Sequence, residues 1–246
     1  MDLRRHKQDW EDLAELDPLW SILGARERRG GRWDHEAFFA TGEQEIDDVL
    51  RTAERHELRA FRRDHALDFG CGVGRVTRAL ATRFRNCVGV DISEKMVRLA
   101  RELNADRANC EFVVNVERDL RGFDDERFDL VYSSLVLQHL PSRELARRYV
   151  AEFLRVARAD GLVVFQIPAR IGWMYRLQPK RRLYSLLRGL GIDERVLFHR
   201  GHLDPTRMIA LKPEDVHETV ERHGGRVVLA EAPVSGGDRY YVAARA

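Results

Sequence analysis

The run Leu67-Asp68-Phe69-Gly70-Cys71-Gly72-Val73-Gly74-Arg75 sets three glycines at alternate positions between an apolar stretch and a helical one. Glycine lacks the Cβ that keeps a backbone away from a ligand, so main chain can pass close to a bound group at such a turn. A dinucleotide-binding turn has its third glycine five positions after the first. Here Arg75 holds that place and the third glycine comes one residue early, at Gly74. The spacing therefore predicts a different ligand. Asp68, just before the loop, would sit badly beside a pyrophosphate but suits a ligand that carries an ammonium and a sulfonium. Asp91 closes Val88-Gly89-Val90-Asp91-Ile92, where an acid at a strand tip can accept both hydroxyls of a ribose. Ile92 and Met96 are then placed to flank an adenine.

Together these residues resemble the class I S-adenosylmethionine (SAM)-dependent methyltransferases, in which a D-x-G-x-G-x-G loop is followed by a second-strand acid; the resemblance spans about residues 64–167. Asn115-Val116 occupies the place where that family contacts the adenine edge, although an aspartate is commoner there. Phe128-Asp129-Leu130-Val131-Tyr132-Ser133-Ser134 resembles its fourth strand, leading into Leu137-Gln138-His139-Leu140-Pro141. The resemblance implies SAM as cofactor, held by Asp68, Gly70, Cys71, Gly72, Gly74, Arg75, Asp91, Ile92, Met96, Asn115, Val116, Ser133, Leu135 and Gln138. His139, on the crevice side of that strand, is the candidate general base. Cys71 reads as a small residue between glycines with its amide near the ligand, since no basic partner is evident to activate its thiol. The implied reaction is direct transfer of a methyl group to an oxygen or nitrogen of a small molecule such as a sugar or secondary metabolite, with oxygen preferred. A catalytically silent SAM-binding regulatory module and a nucleotide-dependent oxidoreductase are the alternatives.

Such a site needs a scaffold. Short β-rich runs at Ala66–Phe69, Cys87–Val90, Phe112–Val114, Leu130–Ser133 and Leu162–Ile167 alternate with helical runs at Arg75–Arg83, Glu94–Leu103 and Arg143–Arg158, the pattern of βαβ units on a parallel sheet. A helix from Pro213 to His223, strands at Arg226–Ala230 and Arg239–Ala243, and a Gly236-Gly237 hairpin turn complete an α/β end. The expected fold is α/β, a Rossmann-like doubly wound seven-stranded sheet, and the family resemblance implies the order 3-2-1-4-5-7-6. Residues 1–60 read as an N-terminal helical cap or lid carrying Trp10, Trp20, Trp33, Phe38 and Phe39; residues 61–246 form the methyltransferase domain, with an insertion at 169–208 after the fifth strand.

The chain's 42 Lys and Arg nearly balance its 40 Asp and Glu, so no global field drives it onto nucleic acid or membrane. The insertion departs from that balance. Between Ala169 and Leu203 eight basic residues face two acids, Asp193 and Glu194, and Leu183, Leu186, Leu187 and Leu190 make a helical stripe expected to pack inward with Lys180, Arg181, Arg182 and Arg188 outward. A solvated face, an anionic or carrier-linked small acceptor, a lipid-surface acceptor and RNA all fit a basic segment with interleaved Trp173, Tyr175 and Tyr184; RNA is disfavoured because no recognised module accompanies it. His199, His202 and Asp204 have metal-ligand types but no supporting carboxylate cluster, so no metal is expected. Cys71, Cys87 and Cys110 read as reduced thiols. With no apolar leader and no stretch of about 18 apolar residues, the chain is expected to be cytoplasmic and to lack a transmembrane segment.

Overall fold

The computed structural model describes residues 3–58, 62–232 and 237–245. Seven strands form one sheet: β1 (His65–Phe69), β2 (Asn86–Asp91), β3 (Cys110–Val114), β4 (Phe128–Ser133), β5 (Ala157–Ile167), β6 (Arg226–Glu231) and β7 (Asp238–Ala243). Their order is β3-β2-β1-β4-β5-β7-β6, as the resemblance implied. The first five are parallel, and β7 runs antiparallel between β5 and β6. β4, buried at all six positions, lies beside β1 at the centre. β1 continues toward β2 and β3 on one side while β4 and β5 build the other, and a ligand crevice opens where the chain direction switches, beyond the C-terminal strand ends.

Helices cover both faces: α1 (Leu3–Leu16), α2 (Pro18–Ile22), α3 (His35–Arg55), α4 (Arg75–Leu80), α5 (Glu94–Leu103), α6 (Arg143–Val156), α7 (Trp173–Leu177), α8 (Pro179–Gly189), α9 (Glu194–His199) and α10 (Pro213–Arg222). Local chemistry starts them. Asp34, Ser93 and Ser142 accept hydrogen bonds from the backbone of Ala37, Met96 and Leu145 and so cap α3, α5 and α6, and Pro213 opens α10. α6 and α10 enclose a core with Phe69, Phe128, Phe153 and Phe165 on one face. On the other, Ile46, Val49 and Leu50 of α3 pack with Leu80, Leu130 and Tyr132. Thus α3 is a sheet-covering helix, and among the described residues of the expected cap α1, α2 and the segment after them reach the crevice.

Boundaries moved where tertiary pairing intervened. α6 ends at Val156 because β5 begins at once, pairing Ala157 with Phe128 before a register shift brings Leu162 opposite Leu130. The expected 60/61 domain boundary and Gly236 of the hairpin lie outside the described residues. The insertion is folded as α7, α8 and α9, with Tyr184, Leu197 and Leu203 in a small core of their own.

Helix α8 meets the expected orientation only in part: Leu187 packs against the insertion's small core and Lys180 and Arg182 are exposed, as expected, but the other leucines and arginines of the stripe trade places. Leu183, Leu186 and Leu190 are 45%, 61% and 71% exposed, while Arg181 pairs with Asp9 at 3.4 Å and Arg188 pairs with Asp12 and with Glu194. Asp9 and Asp12 are buried on α1, and a buried carboxylate needs a counter-charge. Meeting them turns Arg181 and Arg188 inward and leaves Leu183, Leu186 and Leu190 outside, so each of these leucines forgoes part of the about 1.5–3 kcal/mol that full burial would contribute.

Candidate active site

At the crevice, one cavity is walled by Gly70, Gly72, Asp91, Ile92, Met96, Asn115 and Leu135, all anticipated from the sequence. Leu3, His6, Trp10, Ser21, Ile22 and Val136 complete much of the wall. Of these only Trp10 was anticipated, as a lid residue; Val136 sits between two motif blocks in the turn after β4, and the others lie far from the motifs in sequence and are brought in by α1 and α2. A second, larger cavity adjoins it and shares Ser21, Ile22 and Leu135. Its wall includes Trp20, Trp33, Gln138, His139, Met174, Tyr175, Lys180, Arg181 and Asp204. Leu135, at the junction, holds a left-handed backbone (φ 61), which orders the turn between the two cavities.

Asp91 anchors the first cavity. Its Oδ2 accepts the Gly72 N–H and its Oδ1 the Ser93 N–H, each at 2.9 Å, so one carboxylate joins the glycine loop to the start of α5. Burial raises its pKa, opposed by those backbone donors. The α5 N-terminus is also capped by Glu11 of α1, which accepts from the amides of Glu94 and Lys95 at 2.7 and 3.2 Å. A carboxylate accepting at a helix start has a capping pattern, but its partner lies more than eighty residues away in sequence, beyond the reach of local reading. Gly72 has φ +53, and a Cβ there would lie 2.4 Å from Ile22 Cδ1, so the bare glycine lets α2 close over the loop.

Other anticipated cofactor residues play supporting parts. Asp68 does not reach the cavity wall: it is buried beneath the loop, accepts from Thr77 Oγ1 at 2.7 Å, and burial raises its pKa to about 7. Arg75 turns away to Glu45 of α3, at 2.6 Å. The Cys71 amide bonds Val90 O at 3.0 Å instead of facing a ligand, and burial holds its thiol pKa well above the usual value. Gly74 serves packing, since a Cβ at its φ of +83 would meet Asn104 and Phe112 below 3 Å. Ser133 ties β4 to β1 through Phe69 O at 3.1 Å, and Val116 is exposed and apart from the wall. Gln138 lies in the larger cavity, buried, with its side-chain oxygen unpartnered.

His139 also faces the larger cavity. Its Nδ1 is 2.7 Å from the Arg207 carbonyl, which can only accept, so Nδ1 carries the proton and Nε2 keeps a free lone pair. Burial lowers its pKa, only partly offset by that bond and by Asp204. Trp10 meets its ring edge-on at 5.7 Å. Of the other aromatic residues assigned to the lid, Phe38 is fully buried beside Val73 and Met96, with Phe39 packed against that cluster. Among the described residues no group of three or more His, Cys, Asp or Glu is arranged to hold a metal ion; Asp204 instead accepts from the Thr206 amide.

Residues 67–165 match the family model described as a methyltransferase domain. With the strand order, this defines a class I SAM-dependent methyltransferase domain. The chain is 31% identical over 181 residues to the chloroplastic tocopherol O-methyltransferase of Arabidopsis thaliana, covering 68% of this chain and 49% of that protein. It is 31% identical over 123 residues to the trans-aconitate 2-methyltransferase of Deinococcus radiodurans, covering 48% and 45%. In structure it is similar to the magnesium protoporphyrin IX methyltransferase of Synechocystis with bound SAH, at TM-score 0.60, 20% identity and 98% of both chains, a likeness of fold. The chain spans about half the length of these curated relatives. SAM is the cofactor of this class, and the first cavity fits it chemically: a glycine loop, one carboxylate suited to ribose hydroxyls, and Ile92 and Met96 as apolar walls for an adenine.

Proposed function

We propose that this protein is a SAM-dependent methyltransferase acting on an oxygen or nitrogen of a small acceptor. The observation that carries the reading is the junction of the two cavities at Ser21, Ile22 and Leu135: one wall presents the glycine loop and Asp91, the other His139 and Gln138. Bound SAM supplies an electrophilic methyl group on a sulfonium. Asp91 would accept the ribose hydroxyls, Ile92 and Met96 would sandwich the adenine, and Asn115 would face its edge. Positioning donor and acceptor side by side provides much of the acceleration for such a transfer. The unpartnered Gln138 oxygen accepts an O–H or N–H of the acceptor and so orients it, since a buried amide oxygen is costly to leave unbonded. His139 Nε2 takes the acceptor's proton as the methyl group arrives.

Isothermal calorimetry of the full chain tests the cofactor assignment. SAM or S-adenosylhomocysteine should bind with micromolar affinity, about −8 kcal/mol. Heat with NADH and none with either adenosyl ligand would assign the fold to another chemistry.

The pH dependence tests the base. Because burial disfavours the imidazolium, His139 stays neutral below the ordinary histidine pKa, and the acid limb of kcat/KM for the acceptor should lie below pH 6.5. His139→Gln should remove that limb and lower kcat by roughly 10²–10⁴-fold. A variant with parental kcat and the same limb would reduce His139 to a packing residue.

A further inference from the structure

No helix among the described residues is long and apolar enough to cross a membrane, yet one face of the insertion has the character of an interfacial surface. On α7, Trp173, Tyr175 and Leu177 are 69%, 57% and 50% exposed, and Leu183 and Leu186 of α8, with Leu190 at its C-terminal cap, continue the apolar surface. At 100° per residue these three leucines fall within a 60° sector. Arg182 lies on one flank of that sector and Lys180 on the other, both exposed and without an ion pair among the described residues. The opposite side of α8 is spent on the protein: Tyr184 is buried, and Arg181 and Arg188 meet the acids of α1.

We propose that the α7–α8 face docks this protein on the surface of an anionic lipid bilayer. Leucines flanked by cations, with a tryptophan and a tyrosine alongside, match the apolar boundary and the negative headgroups of such a surface, the basic stems reaching up to the phosphates. Charge decides against a second copy, which would offer this face the same cations. Met174, Tyr175 and Lys180 also line the larger cavity, so a docked molecule holds that cavity beside the lipid. An acceptor that partitions into the bilayer then reaches the cavity without crossing bulk water. This last step rests on the methyl-transfer reading, whereas the docking itself does not.

The test is co-sedimentation of the full chain with two kinds of vesicle, phosphatidylcholine alone and phosphatidylcholine containing about one third phosphatidylglycerol. The protein should sediment with the anionic vesicles and be released by high salt. Leu186→Glu combined with Leu190→Glu should lower the partition coefficient at least about tenfold, and Arg182→Glu should lower it to a smaller extent. Calorimetry with S-adenosylhomocysteine on the same variants should give parental affinity, since the altered side chains are exposed and apart from the first cavity. Absence of binding to either vesicle, equal binding to both, or unchanged partition of the double leucine variant would overturn the proposal. So would a dimer in light scattering that the double leucine variant dissolves, which would assign the face to a second copy. Loss of adenosyl-ligand binding in the parent with vesicle binding intact would instead strike the methyltransferase reading alone.

Discussion

Glu45→Ala should destabilise the protein by about 3–5 kcal/mol and lower Tm on the order of 10 °C. Glu45, on α3, accepts from Arg75 Nη2 through Oε2 and from the Tyr132 hydroxyl through Oε1, both at 2.6 Å. The two side chains of the ion pair are only 4% and 15% exposed. Removing the carboxylate leaves the Arg75 guanidinium buried with Thr41 Oγ1, at 3.3 Å, as its remaining side-chain hydrogen-bond partner among the described residues, and a buried unpaired charge costs far more than a lost surface pair. Arg75 begins α4 immediately after the glycine loop and Tyr132 is the last residue but one of β4, so the loss is felt where the crevice is built. Burial works to raise the Glu45 pKa, but the Arg75 charge and the hydrogen bonds from Tyr132, Ser134 and Arg75 bring it below the usual value. A depressed carboxylate pKa contributes stability that is complete above the unfolded value of about 4.3 and disappears as pH falls through the folded value. Denaturant titrations should therefore show parent and variant converging below about pH 4. Equal midpoints at neutral pH would mean that the pair adds nothing to the fold.

Asp91→Ala should weaken S-adenosylhomocysteine binding roughly 10- to 150-fold, corresponding to about 1.5–3 kcal/mol for charge-assisted hydrogen bonds. The structure adds a second reason beside the proposed ribose contacts. With the carboxylate gone, the amides of Gly72 and Ser93 lose their acceptor, and Ser93 is itself the cap of α5. The glycine loop should then open locally, which hydrogen exchange at Gly72 would register as faster exchange than in the parent. Asp91→Asn retains one acceptor oxygen and should fall between the two in calorimetry. Unchanged affinity in the alanine variant, with faster exchange at Gly72, would make Asp91 a loop anchor and nothing more.

Much of the scaffold was legible in the sequence because its determinants are local. Alternating apolar runs and helical stripes specify strands and helices within a few residues of themselves, and Pro213 marks a helix start within one turn. The glycine spacing and Asp91 belong to two strand ends that neighbouring βα units bring together, so Gly70, Gly72 and Asp91 could be placed at one crevice from the sequence and do share a wall in the structure. The strand order came from family resemblance, because alternation alone leaves the arrangement of strands open.

Side-chain direction and long-range pairing were decided only by the tertiary structure. Asp68 and Arg75 flank the loop in sequence, yet Thr77 on α4 holds the first beneath it and Glu45, thirty residues upstream of Arg75, draws the second away. Leu3, His6, Ser21 and Ile22 reach the cavity because α1 is tied to α5 and to the insertion by contacts spanning more than eighty residues, for which no local pattern exists. Helix α8 makes the same point most plainly. Its leucine stripe predicts burial by periodicity alone, but the acids of α1 that its arginines must neutralise are 172 and 176 residues away in sequence. The cost of leaving buried carboxylates unpaired exceeds the gain from burying exposed leucines, and that balance exists only once the two helices are in contact.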